Sequence, residues 1–217
     1  KKGVYFSAPH TVHIDIDVTI GIGTSVGLGA LLLKGASIGS NCDIDAYSII
    51  EKSNLADEVQ VLPYSIIKNS IIQSKVSIGP FAHLRHNAMI GQSAVIGNFV
   101  EVSNSIIQEN SKAKHLSYIG NARIGACVNI GAGTVTCNFD GIKKSWTEIG
   151  EHTSIGSNNA LIAPVQIGKQ VVTGAGSVIT DNIPDGALAI ARARQITKPN
   201  YNRRNHQERI ADKQDCL

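Results

Sequence analysis

Aromatic residues make up only 5% of this 217-residue chain and charged residues only 17%, against about 25% charged in an average domain. A core built around large rings is therefore excluded. The formal net charge is +3, and the basic residues are scattered except toward the C-terminus, so no nucleic-acid partner is expected. Small anionic molecules stay compatible. Long apolar runs are also missing: the longest lies around "GALLLKGA", far short of the roughly 20 residues of a membrane span. The opening "KKGVYFSAPHTV" offers no apolar segment of a signal peptide. Four cysteines, Cys42, Cys127, Cys137 and Cys216, include no C-x-x-C pair. Reduced thiols, a soluble chain with no membrane partner and a cytoplasmic location are the expectation.

What the chain does have is glycine, 21 residues of it, with many Ile and Val. Residues 129 to 141 read "NIGAGTVTCNFDG", and closely spaced glycines of this kind can cradle a phosphate. The same Gly-x-Gly recurs at Gly21-Ile22-Gly23, Gly27-Leu28-Gly29 and Gly174-Ala175-Gly176, without the third glycine or the Gly-Lys-Ser/Thr ending of dinucleotide and P-loop motifs. Recurrence points to a structural repeat instead.

The repeat has a period of six. Aliphatic residues return at Ile14, Ile20, Val26, Leu32, Ile38, Ile44 and Ile50, then at Ile72, Ile78, Leu84, Ile90, Ile96 and Val102. A third run is Ile149, Ile155, Leu161, Ile167, Thr173 and Ile179. Six fits neither a 3.6-residue helix nor simple strand alternation. It fits an all-β parallel β-helix with one short strand and one turn per repeat, three repeats per triangular coil and about nine or ten coils. A β-sandwich would show period two and irregular turns. The register slips near 50 to 72, near 103 to 119 and between Thr136 and Ile149, and these slips are expected to be loops that carry function. The pattern divides the chain into a β-helix over 1–195 and a polar tail over 196–217, part helix and part disordered.

The motifs "GPFAHLR" (79–85), "IGNFVEV" (96–102), "KHLSYIG" (114–120), "NIGAGTVTCNFDG" (129–141), "IGS" (155–157), "APV" (163–165) and "ALAIARARQ" (187–195) follow one another in an order and spacing that resemble one family. It is the acetyltransferase domain of the bifunctional enzyme that acetylates glucosamine-1-phosphate and uridylylates the product to UDP-N-acetylglucosamine. The resemblance implies a left-handed β-helix, a homotrimer with active sites between subunits, and acetyl-CoA as donor. The family's nucleotide-binding half has no counterpart in these residues, so no uridyltransferase activity is expected of them.

Carried over residue by residue, the resemblance makes His115 a general base. Histidine suits that role because an amine attacks a thioester only as the free base, and imidazole exchanges its proton near neutral pH. Glu101 is placed to orient that imidazole. Arg85 resembles the phosphate-binding arginine, Tyr118 and Asn129 match sugar-binding positions, and Lys144 matches a substrate-contacting lysine. Ala132, Asn138, Phe139, Ser157, Ala175 and Arg192 fall at acetyl-CoA positions, with Ser157 or a backbone N–H as the oxyanion holder. Without the resemblance, Ala132 and Ala175 read as coil residues, Lys144 as a solvated loop charge and His115 as a solvated loop histidine.

The departures are specific. The family's Arg-Pro-Gly is here Arg85-His86-Asn87, its tyrosine after "TCN" is Phe139, the glycine before the catalytic histidine is Lys114, and a phosphate-binding lysine falls on Ser103. Either the acceptor site is one cation short or Lys114 supplies the charge. Three other readings compete. One is acetyl transfer to a different amino sugar phosphate, and another is a non-catalytic scaffold with a decayed site. The third is a β-helical zinc carbonic anhydrase, which needs three histidine ligands. The pair His83 and His86 has no partner at the right spacing, so no metal is expected.

Overall fold

The structure is a computed structural model that describes residues 3–201. Each aliphatic hexapeptide residue sits in a strand of two to four residues, and the intervening residues turn the chain to the next face. Among the described residues the strands form three parallel sheets of 11, 10 and 9 strands. The first face runs from Tyr5–Phe6 to Leu188–Ala189, the second from His13–Ile14 to Val178–Ile179, and the third from Thr19–Ile20 to Val165–Ile167. Together they make a left-handed β-helix of about ten coils. Up to the last coil each strand pairs with the strand three positions later, so Asp43 faces Gln60 and Ser77 faces Val95, coil above coil; at the top Val172–Thr173 pairs with Leu188–Ala189, two strands on.

Stacking turns the sequence period into columns. Val26, Ile44, Val61, Ile78 and Ile96 line the inside of the first face; Leu32, Ile50, Ile67, Leu84, Val102 and Ile119 line the second; Ile38, Leu55, Ile72, Ile90 and Ile107 line the third, all buried. Backbone groups bond across coils, as in Gly79 N–H to Ile96 O at 2.8 Å and Gly91 N–H to Ile107 O at 2.7 Å. Parallel sheets bury both the ladder and the inner side chains, so β-branched residues dominate.

The register slips are of two kinds, and this corrects the sequence expectation. Near 50 to 72 and 103 to 119 no loop leaves the prism. The edge between the second and third faces is one residue shorter there, turning on Lys52, Asn69, Asn104 and Asn121 at φ of 46°, 46°, 49° and 47°. The residue after the first three is a buried serine whose hydroxyl donates to a nearby carbonyl: Ser53 to Glu51 O, Ser70 to Lys68 O and Ser105 to Ser103 O, at 2.7, 2.8 and 2.9 Å. The hydroxyl satisfies a carbonyl that a tighter turn leaves exposed to the core. Only the slip after Thr136 is a true excursion, closed by an antiparallel bridge between Phe139 and Lys144. Residues 202–217 of the expected tail lie outside the described residues, and no helix among the described residues is long and apolar enough to cross a membrane.

Ile96 is fully buried in the middle of the first column, so Ile96→Ala should cost about 2–5 kcal/mol. Chemical denaturation would show this as a lowered unfolding midpoint; an unchanged midpoint would contradict the packing described.

Candidate active site

The edge joining the first and second faces carries one residue of interest per coil. Asn98 and His115 are register partners, and the N–H of Leu116 bonds Asn98 O at 3.0 Å. Further up, Asn158 N–H bonds Ala132 O at 2.7 Å and Gly176 N–H bonds Ser157 O at 2.8 Å. His115, Ala132, Ser157 and Ala175 therefore form a single vertical column. Arg192 lies beside the upper end of this edge, its Cδ 3.8 Å from where a Cβ on Gly176 would be. Ala132 and Ala175, ordinary in sequence, are steps of one edge.

Below His115 the same edge is aromatic. Tyr47, Tyr64, Phe81 and Phe99 stack with centroids 5.1, 5.1 and 5.2 Å apart, each at a φ between 55° and 61°. Bulky residues are costly in this left-handed region, and ring stacking, on two neighbours for Tyr64 and Phe81 and on one for Tyr47 and Phe99, offsets the cost. Above His115 the rings give way to Gly133 at φ +75° and Gly176 at φ +73°. The stretch 129–141 thus owes Gly131 and Gly133 to edge geometry, and the edge narrows just where the column of small residues begins.

The ring of His115 is exposed and is held by Asn98, whose Oδ1 lies 2.7 Å from Nδ1. With an amide oxygen as acceptor, Nδ1 carries the proton and Nε2 keeps its lone pair. Glu101 is not that partner, which corrects the sequence assignment. Its Oε1 accepts from Arg85 Nε at 2.7 Å and pairs with Nη2 at 2.5 Å. Asn98 was missed because only coil register, 17 residues ahead of His115, reveals it.

Arg85, Glu101, Ser103 and Tyr118 share the outside of the second face, where Arg85 is in register with Ser103 and Glu101 with Tyr118. The ring of Tyr118 lies over Gly120, where a Cβ would meet its hydroxyl. Arg85 Nη1 also contacts His86 Nδ1 at 2.5 Å, and His86 Nδ1 lies 3.2 Å from Ser103 Oγ. Burial lowers the pKa of neighbouring His83; Glu101 opposes that shift, while Arg85, Lys68 and His86 reinforce it.

The remaining candidates lie elsewhere. Asn129 is exposed on the first face, in register with Lys112. Asn138, Phe139 and Lys144 belong to the excursion between the second and third faces. Asn138 is only 7% exposed, and its Nδ2 donates to Asn121 Oδ1 at 2.7 Å. Asp140 fixes the excursion by accepting from the Ile142 and Lys143 N–H groups, both at 2.8 Å, and these bonds lower its pKa. Lys143 and Lys144 border a cavity of about 460 Å³ with Trp146 and Gln166. A cavity of about 760 Å³ lies on the third face beside Arg123 and Glu148 and includes none of the residues carried over. Among the described residues no three His, Cys, Asp or Glu side chains are grouped to hold a metal.

The class defined by these features is the left-handed hexapeptide β-helix. A bacterial transferase hexapeptide (six repeats) model matches residues 69–104 and 147–181. The chain is 48% identical over 202 residues to the bifunctional protein GlmU of a Psychrobacter species, covering 93% of this chain and 44% of that protein. It is 46% identical over 201 residues to the bifunctional protein GlmU of Exiguobacterium sibiricum, covering 93% and 44%. The chain thus spans less than half the length of the curated relatives it matches. Among solved structures, the UDP-N-acetylglucosamine acyltransferases of Francisella novicida and Arabidopsis match with TM-scores of 0.56 and 0.54 at 14% and 16% identity. The first alignment covers 94% of this chain and 73% of that one, the second 90% and 75%, and both attest the fold alone.

Asn98→Asp places a carboxylate against the His115 ring. A negative neighbour favours the protonated imidazole and raises its pKa, so the acidic limb of a kcat/KM profile for the acetyl transfer proposed below should move to higher pH. Asn98→Ala should lower kcat by about 10- to 100-fold through loss of orientation. An acidic limb that stays in place in Asn98→Asp would separate Asn98 from the base.

Proposed function

We propose that this chain catalyses acetyl transfer from acetyl-CoA to the amine of glucosamine-1-phosphate, with His115 as general base. The observation that carries the reading is the single edge on which His115, with a free Nε2, heads a column of Ala132, Ser157 and Ala175. Such an edge gives the pantetheine arm small side chains to run along, ending at Arg192, whose guanidinium suits the phosphates of CoA. The 42–48% identity to proteins named GlmU supports the same reading.

The acceptor lies across the second face. Glu101–Ser103 spans two residue steps, about 7 Å, which matches a hexose between a phosphate at Arg85 and an amine at the His115 edge. Nε2 takes a proton as the amine nitrogen bonds the thioester carbon. The carbonyl oxygen gains charge against a backbone N–H or the Ser157 hydroxyl, and the tetrahedral centre collapses with release of the CoA thiol, protonated from His115.

Asn129 and the Asn138–Lys144 excursion stand on other surfaces of the same prism. Packing of three chains about an axis would bring one subunit's excursion against another's edge, and the homotrimer is part of this proposal.

His115→Ala should lower kcat by at least about 100-fold while acetyl-CoA still binds, read from CoA release and from acetyl-CoA titration. Near-normal turnover would remove His115 from the mechanism. Light scattering should return a trimeric mass; a fully active monomer would rule out the shared site.

A further inference from the structure

Arg85 is engaged on two sides. Nε and Nη2 are taken by Glu101, which leaves Nη1 as the edge directed at His86. Ser103 is only 4% exposed, and its Oγ lies 3.2 Å from the same imidazole atom. Nδ1 accepts from the Arg85 N–H, which can only donate, and the Ser103 hydroxyl is within reach of the same point. The position of Nδ1 is where an anionic oxygen would meet the same two donors. The imidazole is exposed, on a residue at φ +52°, and it covers position 103.

We infer that His86 completes a phosphate subsite with Arg85 and Ser103, yielding the place of Nδ1 to a phosphate oxygen and becoming a third donor by taking a proton from solvent. The inference rests on the proposed phosphorylated acceptor. It answers the cation question left by Ser103 without Lys114. Lys114 sits in the first-face strand Lys112–His115, ahead of the first edge, whereas Ser103 ends a second-face strand at the opposite edge. His86 and Ser103 are the two departures from the resembled pattern that touch.

The chemistry balances simply. In the free site Nδ1 accepts from Arg85 and so has no proton, with the Ser103 hydroxyl 3.2 Å away. When the phosphate arrives both donors turn to its oxygens, one proton moves from water to the imidazole, and the resulting N–H donates to the same anion. Binding is then linked to uptake of one proton, so affinity for the phosphorylated acceptor falls as pH rises. The groups facing this exchange are Arg85 and His83 on the same strand, Glu101 and Ser103 on the coil above, and Lys68 and Glu51 below.

The test compares KM for glucosamine-1-phosphate with KM for glucosamine, each expressed as the concentration of free amine, from pH 7 to 9, where the phosphate stays dianionic; the phosphate raises the amine pKa of its own acceptor, and this expression removes the difference. His86→Asn keeps a residue tolerant of the left-handed backbone and removes the exchangeable proton. The wild-type preference for the phosphorylated acceptor should decline with rising pH. In His86→Asn it should drop by about 10-fold or more and become flat, with KM for acetyl-CoA unchanged. Ser103→Ala should reduce the preference in the same direction. Adding Ser103→Lys to His86→Asn should restore it, and should gain more there than beside an intact His86 that fills the space. A wild-type preference that His86→Asn retains in full overturns the inference alone, as does an equal rise in KM for both acceptors. No preference in the wild-type enzyme overturns the reading of the acceptor, and the inference with it.

Discussion

Everything in this molecule depends on the ladder of backbone hydrogen bonds between one coil and the next. Each coil holds little apolar surface of its own, and its aliphatic residues are buried only because another coil lies above and below. The ladder fixes register, and register converts sequence positions a coil apart into neighbours. Ile78 and Ile96 become one column of core, and by the same operation Asn98 and His115 become a hydrogen-bonded pair. Stability and site geometry share one cause. A side chain added at Gly97 would strike the backbone of Lys114, one residue from the proposed base.

The edge between the first and second faces shows how function is written on such a regular scaffold. Its left-handed positions repeat in every coil, and what occupies them changes along the axis from Tyr47, Tyr64, Phe81 and Phe99 to Leu116, Gly133, Asn158 and Gly176. The backbone is nearly constant while the bulk falls away. Stacked rings stiffen the lower half of the edge, and the upper half is left bare enough for a long, flexible thioester arm. The site is a change of side-chain size on an unchanging frame.

How much of this was legible in the sequence follows from the same physics. The columns were readable because burial demands an aliphatic residue at every inward position, as Ile14 through Ile50 show. The slip at Leu55 was misread as a loop, since deletion of one edge residue and insertion of many both break a period of six. Only the serine at 53, 70 or 105, capping a shortened turn, distinguishes them. His115, Arg85, Ala132, Ser157 and Ala175 are nominated by motif resemblance, and the structure adds that His115, Ala132, Ser157 and Ala175 share one edge. Asn98 holding His115, Glu101 turned to Arg85, and His86 bridging Arg85 to Ser103 were not legible. Each is a contact across coils, set by side-chain direction at an edge, and linear spacing does not report direction.

The account places the acyl donor along one edge of the prism, and a structure of the protein with CoA bound measures this directly. The predicted result is a pantetheine arm passing Ala132, Ser157 and Ala175, with its sulfur beside Nε2 of His115 and its phosphates toward Arg192. CoA seated instead in the third-face cavity beside Arg123 and Glu148, with the His115 edge empty, would contradict it.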